Sequence, residues 1–141
     1  MAVLTFDNAT GLWQTATRGA DGTLGGDLTT INGMNGYWVV SDGVLDVSVG
    51  LQEGTDFQPP PHISVTEGWN LVGVVDADQA EAGTEILAVD YFANIDAEVV
   101  YGYESLEGKL VRLSVGEGST DMVETGAAYW VYANEAGIIV P

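Results

Sequence analysis

The chain has 141 residues and no cysteine, and it sets 21 acidic residues against only Arg18, Lys109 and Arg112, a net charge of -18. That length suits one ordinary domain or two very small ones, and the missing cysteine excludes disulfides and thiolate chemistry. A hydrophobic content of 46% excludes disorder, and three cations could not neutralise phosphates, which disfavours a nucleic-acid partner.

Only 17% of the residues are charged, below the roughly 25% of typical soluble domains, so the imbalance comes mostly from missing lysine and arginine. The acids run from Asp7 to Glu135, in nearly every loop, rather than in one tail. Such a surface repels itself in dilute buffer, whereas molar salt screens it over about 3 Å. The composition is therefore read as that of a halophilic protein.

In chain order, short runs rich in Val, Ile, Tyr and Trp alternate with Gly, Asp and Asn, which predicts an all-β protein. Strands are expected at Val3–Phe6, Leu12–Thr17, Tyr37–Ser41, Val44–Val49, His62–Val65 and Trp69–Val75. Further strands are expected at Val99–Tyr103, Lys109–Val115, Tyr129–Tyr132 and Ile138–Val140. Asn8 to Gly11 and Ser105 to Gly108 read as short hairpin turns, and Asp42-Gly43 as a tight one. The segment Thr84 to Ile95 spaces its apolar residues by three and four, predicting one short helix with Thr84 as its N-cap. Pro59-Pro60-Pro61 ends a stiff connection from Leu51 to Pro61.

The chain also resembles itself. Phe6-Asp7-Asn8-Ala9-Thr10-Gly11, a glycine-rich loop and Gly36-Tyr37-Trp38-Val39-Val40 recur in order as Tyr103-Glu104-Ser105-Leu106-Glu107-Gly108, a Gly/Ser loop and Ala128-Tyr129-Trp130-Val131-Tyr132. This predicts a duplication. A shortened first β-module would occupy residues 1–50, the proline-rich connection 51–61, and a second β-module 62–141. The expected fold class is mainly β: two related antiparallel modules of sandwich or small-barrel type, with one short helix in the second.

Gly68-Trp69-Asn70-Leu71-Val72-Gly73, Asp90 to Ile95, Val100-Tyr101-Gly102-Tyr103 and the terminal Tyr129-Trp130-Val131-Tyr132 follow one another in order. This series resembles the GWNLVG…GYWVY β-modules of haloarchaeal cell-surface proteins and of virion proteins of haloarchaeal viruses, over about residues 66–141. The first half lacks a Gly-Trp-Asn-Leu strand, which could be cut off or supplied by a neighbouring subunit. The resemblance implies a structural surface unit and brings no catalytic residues with it.

Candidate chemistry is sparse. His62 is the only histidine, so any triad or imidazole acid–base scheme would need it; it follows three prolines with no nucleophile setting nearby. Twenty-one acids offer many carboxylate pairs, which removes any glycosidase signal. The Asp76 to Glu85 stretch misses the ligand positions of an EF-hand loop, and Asp21 to Asp27 offers two carboxylates among glycines. No lysine or helix follows Gly22, Gly25 and Gly26, so phosphate-loop patterns fail. Neither a cofactor nor a metal is expected.

The aromatics remain. Adjacent strand residues point to opposite faces, so each Tyr-Trp-Val run sends one ring inward. Trp69, Trp38 and Trp130 are expected in the core, with Tyr37, Tyr129 and Tyr132 outside as interface candidates. Leu51 and Phe57 beside the prolines are the other interface candidates.

These readings converge on a non-enzymatic structural virion protein of a halophilic archaeal virus: a capsid decoration, turret or tail-associated subunit. Its partners would be copies of itself and other virion proteins. No stretch approaches the ~20 apolar residues of a membrane span, and Met1 to Phe6 lacks the basic and long apolar regions of a signal peptide, favouring the virion over the cell surface. The alternatives are a carbohydrate- or receptor-binding module, which would show an exposed aromatic cluster beside acids, and a fragment of an archaeal surface-layer or adhesin protein.

Overall fold

A computed structural model describes residues 1–44, 62–75 and 82–141. Twelve strands and one helical turn make up its regular structure: β1 (Ala2–Asp7), β2 (Leu12–Arg18), β3 (Leu24–Gly26), β4 (Trp38–Val40), β5 (Ile63–Val65), β6 (Gly68–Gly73), β7 (Glu85–Leu87), α1 (Ala88–Tyr91), β8 (Ala97–Glu104), β9 (Lys109–Leu113), β10 (Met122–Glu124), β11 (Ala128–Ala133) and β12 (Gly137–Ile139). All pairings are antiparallel. They form an N-terminal sheet ordered β3-β2-β1-β4, a central sheet ordered β6-β11-β8-β9, and the two-stranded sheets β10-β7 and β12-β5. None of these sheets closes into a barrel, so of the two expected module types the open one is present.

The expected helix is shorter than its spacing suggested. Glu85–Leu87 is a strand paired with Met122–Glu124, and only Ala88–Tyr91 is helical. Leu87, not Thr84, occupies the N-cap, without a side-chain cap bond. Val123 lies opposite Ile86 on β7 and is fully buried; this pairing with a distant strand overrides a three- and four-residue spacing that is ambiguous over so short a run. β3, β7 and β10 were not expected as strands; each is three residues long. The strand expected at Val44–Val49 lies outside the described residues, apart from Val44.

The main core lies on the inner face of the central sheet. Val72, Val100, Val131 and Ala133 meet Ile63 and Val65 of β5, Val123 of β10, Ile139 of β12, and Tyr91 and Phe92 of the helical segment. Alternation places each of these strand residues inward, and the small sheets cover them.

The repeated order seen in the sequence reappears as topology. The hairpin β1–β2 pairs Phe6 with Trp13 and Asp7 with Leu12; β8–β9 pairs Tyr103 with Leu110 and Glu104 with Lys109. Both hairpins close with the same bond, Gly11 N–H to the Asp7 carbonyl and Gly108 N–H to the Glu104 carbonyl, each 2.8 Å. Gly11 and Gly108 have φ of 69° and 65°, a left-handed conformation that explains glycine at both turns. A Trp-containing strand then flanks each hairpin: Trp38 opposite Leu4, and Trp130 opposite Tyr101.

The two related sheets face each other. Phe6 packs edge-on against Trp130 at 5.4 Å, while its counterpart Tyr103 packs edge-on against Trp38 at 4.6 Å. Each hairpin thus lays its aromatic ring on the other sheet's tryptophan, a quasi-twofold exchange. On one edge the contact is made by backbone. Asn35 bridges Val72, and Gly73 N–H donates to the Met34 carbonyl at 3.0 Å. The Asn8 side chain completes the join: its Oδ1 accepts from Leu71 N–H at 2.8 Å and its Nδ2 donates to the Leu71 carbonyl at 3.4 Å. An amide side chain here imitates a strand partner on the β6 edge.

Candidate functional site: the open interlayer between the two sheets

The outer face of the central sheet is aromatic because of strand phase. On β11, Tyr129, Val131 and Ala133 are buried, so Trp130 and Tyr132 point outward. On β6, Asn70 and Val72 are buried and Trp69 is 43% exposed. This reverses the expected phase for Trp69, Trp130 and Tyr129: the tryptophans lie outside, and Tyr129 belongs to the core at 8% exposure.

Two hydrogen-bond arrangements make that phase possible. The buried Asn70 amide donates to the Thr66 and Gly68 carbonyls at 2.8 and 2.9 Å, and its Oδ1 accepts from Thr66 N–H at 2.9 Å. A fully bonded amide can be buried at little cost. Tyr129 reaches the core edge, where its hydroxyl accepts from Glu124 N–H at 3.0 Å, and burial raises its pKa above the usual 10.0.

The N-terminal sheet covers only part of this aromatic face. Leu71 is buried, Gly36 lying so close that a Cβ there would stand 2.6 Å from Leu71 Cγ. Trp130 is wedged between Phe6, Trp13 and Trp69 at 5.4, 5.7 and 6.3 Å. Beyond it a recess of about 500 Å³ remains open, lined by Phe6, Trp69, Tyr101, Leu110 and Trp130. Among the described residues no charged side chain lines it. Leu110, at 52% exposed, and Trp69 leave large apolar area in water.

Of the expected interface residues, Tyr132 stands on this face, its ring 5.2 Å from Trp69. Tyr37 is half-buried beside a different recess, its hydroxyl accepting from Asn32 N–H at 2.7 Å. Leu51 and Phe57 lie outside the described residues. Phe6, Tyr101 and Leu110 were not singled out in the sequence. Alternation about Val100 could have flagged Tyr101 and Tyr103, whereas Phe6 and Leu110 join the face only through docking of the two sheets.

The chemically reactive types are dispersed. His62 is exposed. Asp21 accepts from Thr23 N–H and Oγ1 at 3.1 and 2.7 Å, and Asp27 accepts from Thr15 N–H at 2.7 Å. These bonds hold both carboxyls below the usual range, tying Asp21 to its own loop and Asp27 to β2. Among the described residues no three His, Cys, Asp or Glu side chains converge as metal ligands. Most of the Asp76 to Glu85 stretch, Asp76 to Glu81, lies outside the described residues. No helix among the described residues is long and apolar enough to cross a membrane. The ion pairs among the described residues are those of Lys109 with Glu107 and Glu104, at 2.6 and 3.6 Å on the surface.

Comparison with known protein families, with characterised proteins and with solved structures finds no match.

Proposed function

We propose that this protein is a non-catalytic structural subunit that assembles in concentrated salt through its open aromatic face. The observation that carries the reading is an uncharged, aromatic recess left open on a chain of net charge -18. Apolar area in water costs roughly 25 cal/mol per Å², so a facing subunit that covers Trp69, Leu110 and their neighbours gains free energy. The surrounding acids oppose that approach in dilute buffer and are screened at molar salt, which makes association conditional on the environment.

The lining favours a packed contact over a sugar site at this position. Among the described residues no carboxylate or amide side chain lines the recess to bond sugar hydroxyls. Together with the halophilic composition and the resemblance to haloarchaeal surface and virion modules, this favours a virion protein of a halophilic archaeal virus. The subunit would be a capsid decoration, turret or tail-associated component with copies of itself and other virion proteins as neighbours.

The test is mass measurement by light scattering in molar KCl, for the native chain and a Trp69→Ser, Leu110→Ser double variant. Both substitutions sit on exposed positions and should leave the core intact. A discrete oligomer that the double variant converts to monomer is the expected outcome. A native chain that stays monomeric at high micromolar concentration, alone and with its fellow particle proteins, would sink the reading.

A further inference from the structure

A second recess, of about 460 Å³, opens where the central sheet comes apart. The β11–β8 ladder stops at Trp130 opposite Tyr101, while the β8–β9 ladder continues to Glu104 opposite Lys109. The two strands therefore part, and the backbone of residues 102–104 that faces β11 lies outside the ladder. Tyr37 and Trp38 of the N-terminal half form one wall; Tyr103, Glu104, Glu124 and Tyr129 form the other. Gly102 lies beneath, where a Cβ would stand 3.1 Å from Tyr129 Cε1, so glycine lets that ring lie against the strand.

We propose that this cleft binds a neutral saccharide. Its volume falls in the range of small-ligand sites. Aromatic rings offer apolar faces to the C–H side of a sugar ring, and two carboxylates accept hydrogen bonds from hydroxyls. Among the described residues no lysine, arginine or histidine lines the cleft, though Lys109 pairs with the Glu104 carboxylate at 3.6 Å, and the net charge of -18 repels anionic sugars. An organic cation is the competing ligand for aromatic rings beside acids. It needs ring faces arranged around one point within about 6 Å. Trp38 and Tyr103 instead touch each other edge-to-face at 4.6 Å and 66°, closing the space between their faces. Tyr103 remains 46% exposed, with ring surface to offer. Because both sheets contribute walls, the site exists only in the docked molecule.

Isothermal titration of the full chain in molar KCl with a panel of neutral disaccharides and oligosaccharides tests the site, with a glucuronate-containing disaccharide and tetramethylammonium as controls. A neutral saccharide should bind, and Glu104→Ala should weaken it at least tenfold, since Lys109 keeps Glu107 and the hairpin is retained. Trp38→Phe should reduce the ligand-induced change in tryptophan fluorescence, Trp130 remaining as the other tryptophan of the cleft, while leaving the circular dichroism unchanged. The Trp69→Ser, Leu110→Ser variant should bind the saccharide normally, which separates this site from the assembly face. Absence of binding across the panel, equal binding by Glu104→Ala, or preference for tetramethylammonium would each overturn the proposal.

Discussion

Tyr129 shows how one hydroxyl sets a strand's phase. Its ring fills the core and its oxygen accepts the Glu124 N–H at 3.0 Å, so the neighbouring Trp130 must face out. Tyr129→Phe leaves that N–H without its partner and should cost about 1 kcal/mol near neutral pH. Burial raises the phenol pKa above 10.0 in the folded state, so the unfolded chain releases this proton first. The native protein's stability is therefore complete below pH 10 and declines as pH rises through the folded pKa. Urea denaturation at a series of alkaline pH values should show the gap between native chain and Tyr129→Phe narrowing above pH 10. A gap that is constant with pH would contradict burial as the cause.

Among the elements, the first hairpin is the one that joins the halves. Its turn places Asn8 against the β6 edge, with bonds to both the N–H and the carbonyl of Leu71, and the Asn8 carbonyl accepts from Thr66 Oγ1 at 2.9 Å. The equivalent position in the second hairpin is the exposed Ser105. Asn8→Ala removes the side-chain bonds and leaves edge groups of β6 half-shielded from water. It should destabilise the protein by about 1–2 kcal/mol, read from the urea midpoint in molar KCl. Ala9→Ser, on the exposed side of the same turn, serves as the control and should be neutral. The turn itself was legible: an acidic residue, a short polar run and glycine announced both hairpins. The role of Asn8 was not, because nothing local distinguishes an asparagine that satisfies a turn from one that completes a distant edge. The same limit explains β7, a three-residue strand whose partner lies 35 or more residues away in the chain.

For the whole molecule, charge is the controlling quantity. The described ion pairs engage Lys109 alone of the cations, so the acids are opposed mainly by dissolved ions. Raising KCl from about 0.1 M to 1 M shortens the screening length from about 10 Å to 3 Å, and the urea midpoint should rise across that interval. An unchanged midpoint would mean that the acids do not strain the compact state. The aromatic face belongs to this scale too. Neither half holds it alone: Phe6 and Trp13 come from one sheet, Trp69, Tyr101, Leu110 and Trp130 from the other.

Composition and alternation alone determined the β class, both hairpin turns and the recurrent order of strands, since these depend on period and on glycine at positive φ. Most of the strands could be placed in the sequence for the same reason. Only the tertiary structure decided that Tyr129 rather than Trp130 is buried, and that Tyr37 and Trp38, the latter expected in the core, are both only half-buried. Alternation gives two faces but does not say which faces the core, and the choice turned on Asn70 and Tyr129 finding hydrogen bonds from segments outside their own strands. It also decided that the two related sheets pack face to face, leaving an apolar recess and a mixed cleft at their margins. Those sites depend on where two surfaces stop covering each other, a quantity that no local stretch of residues encodes.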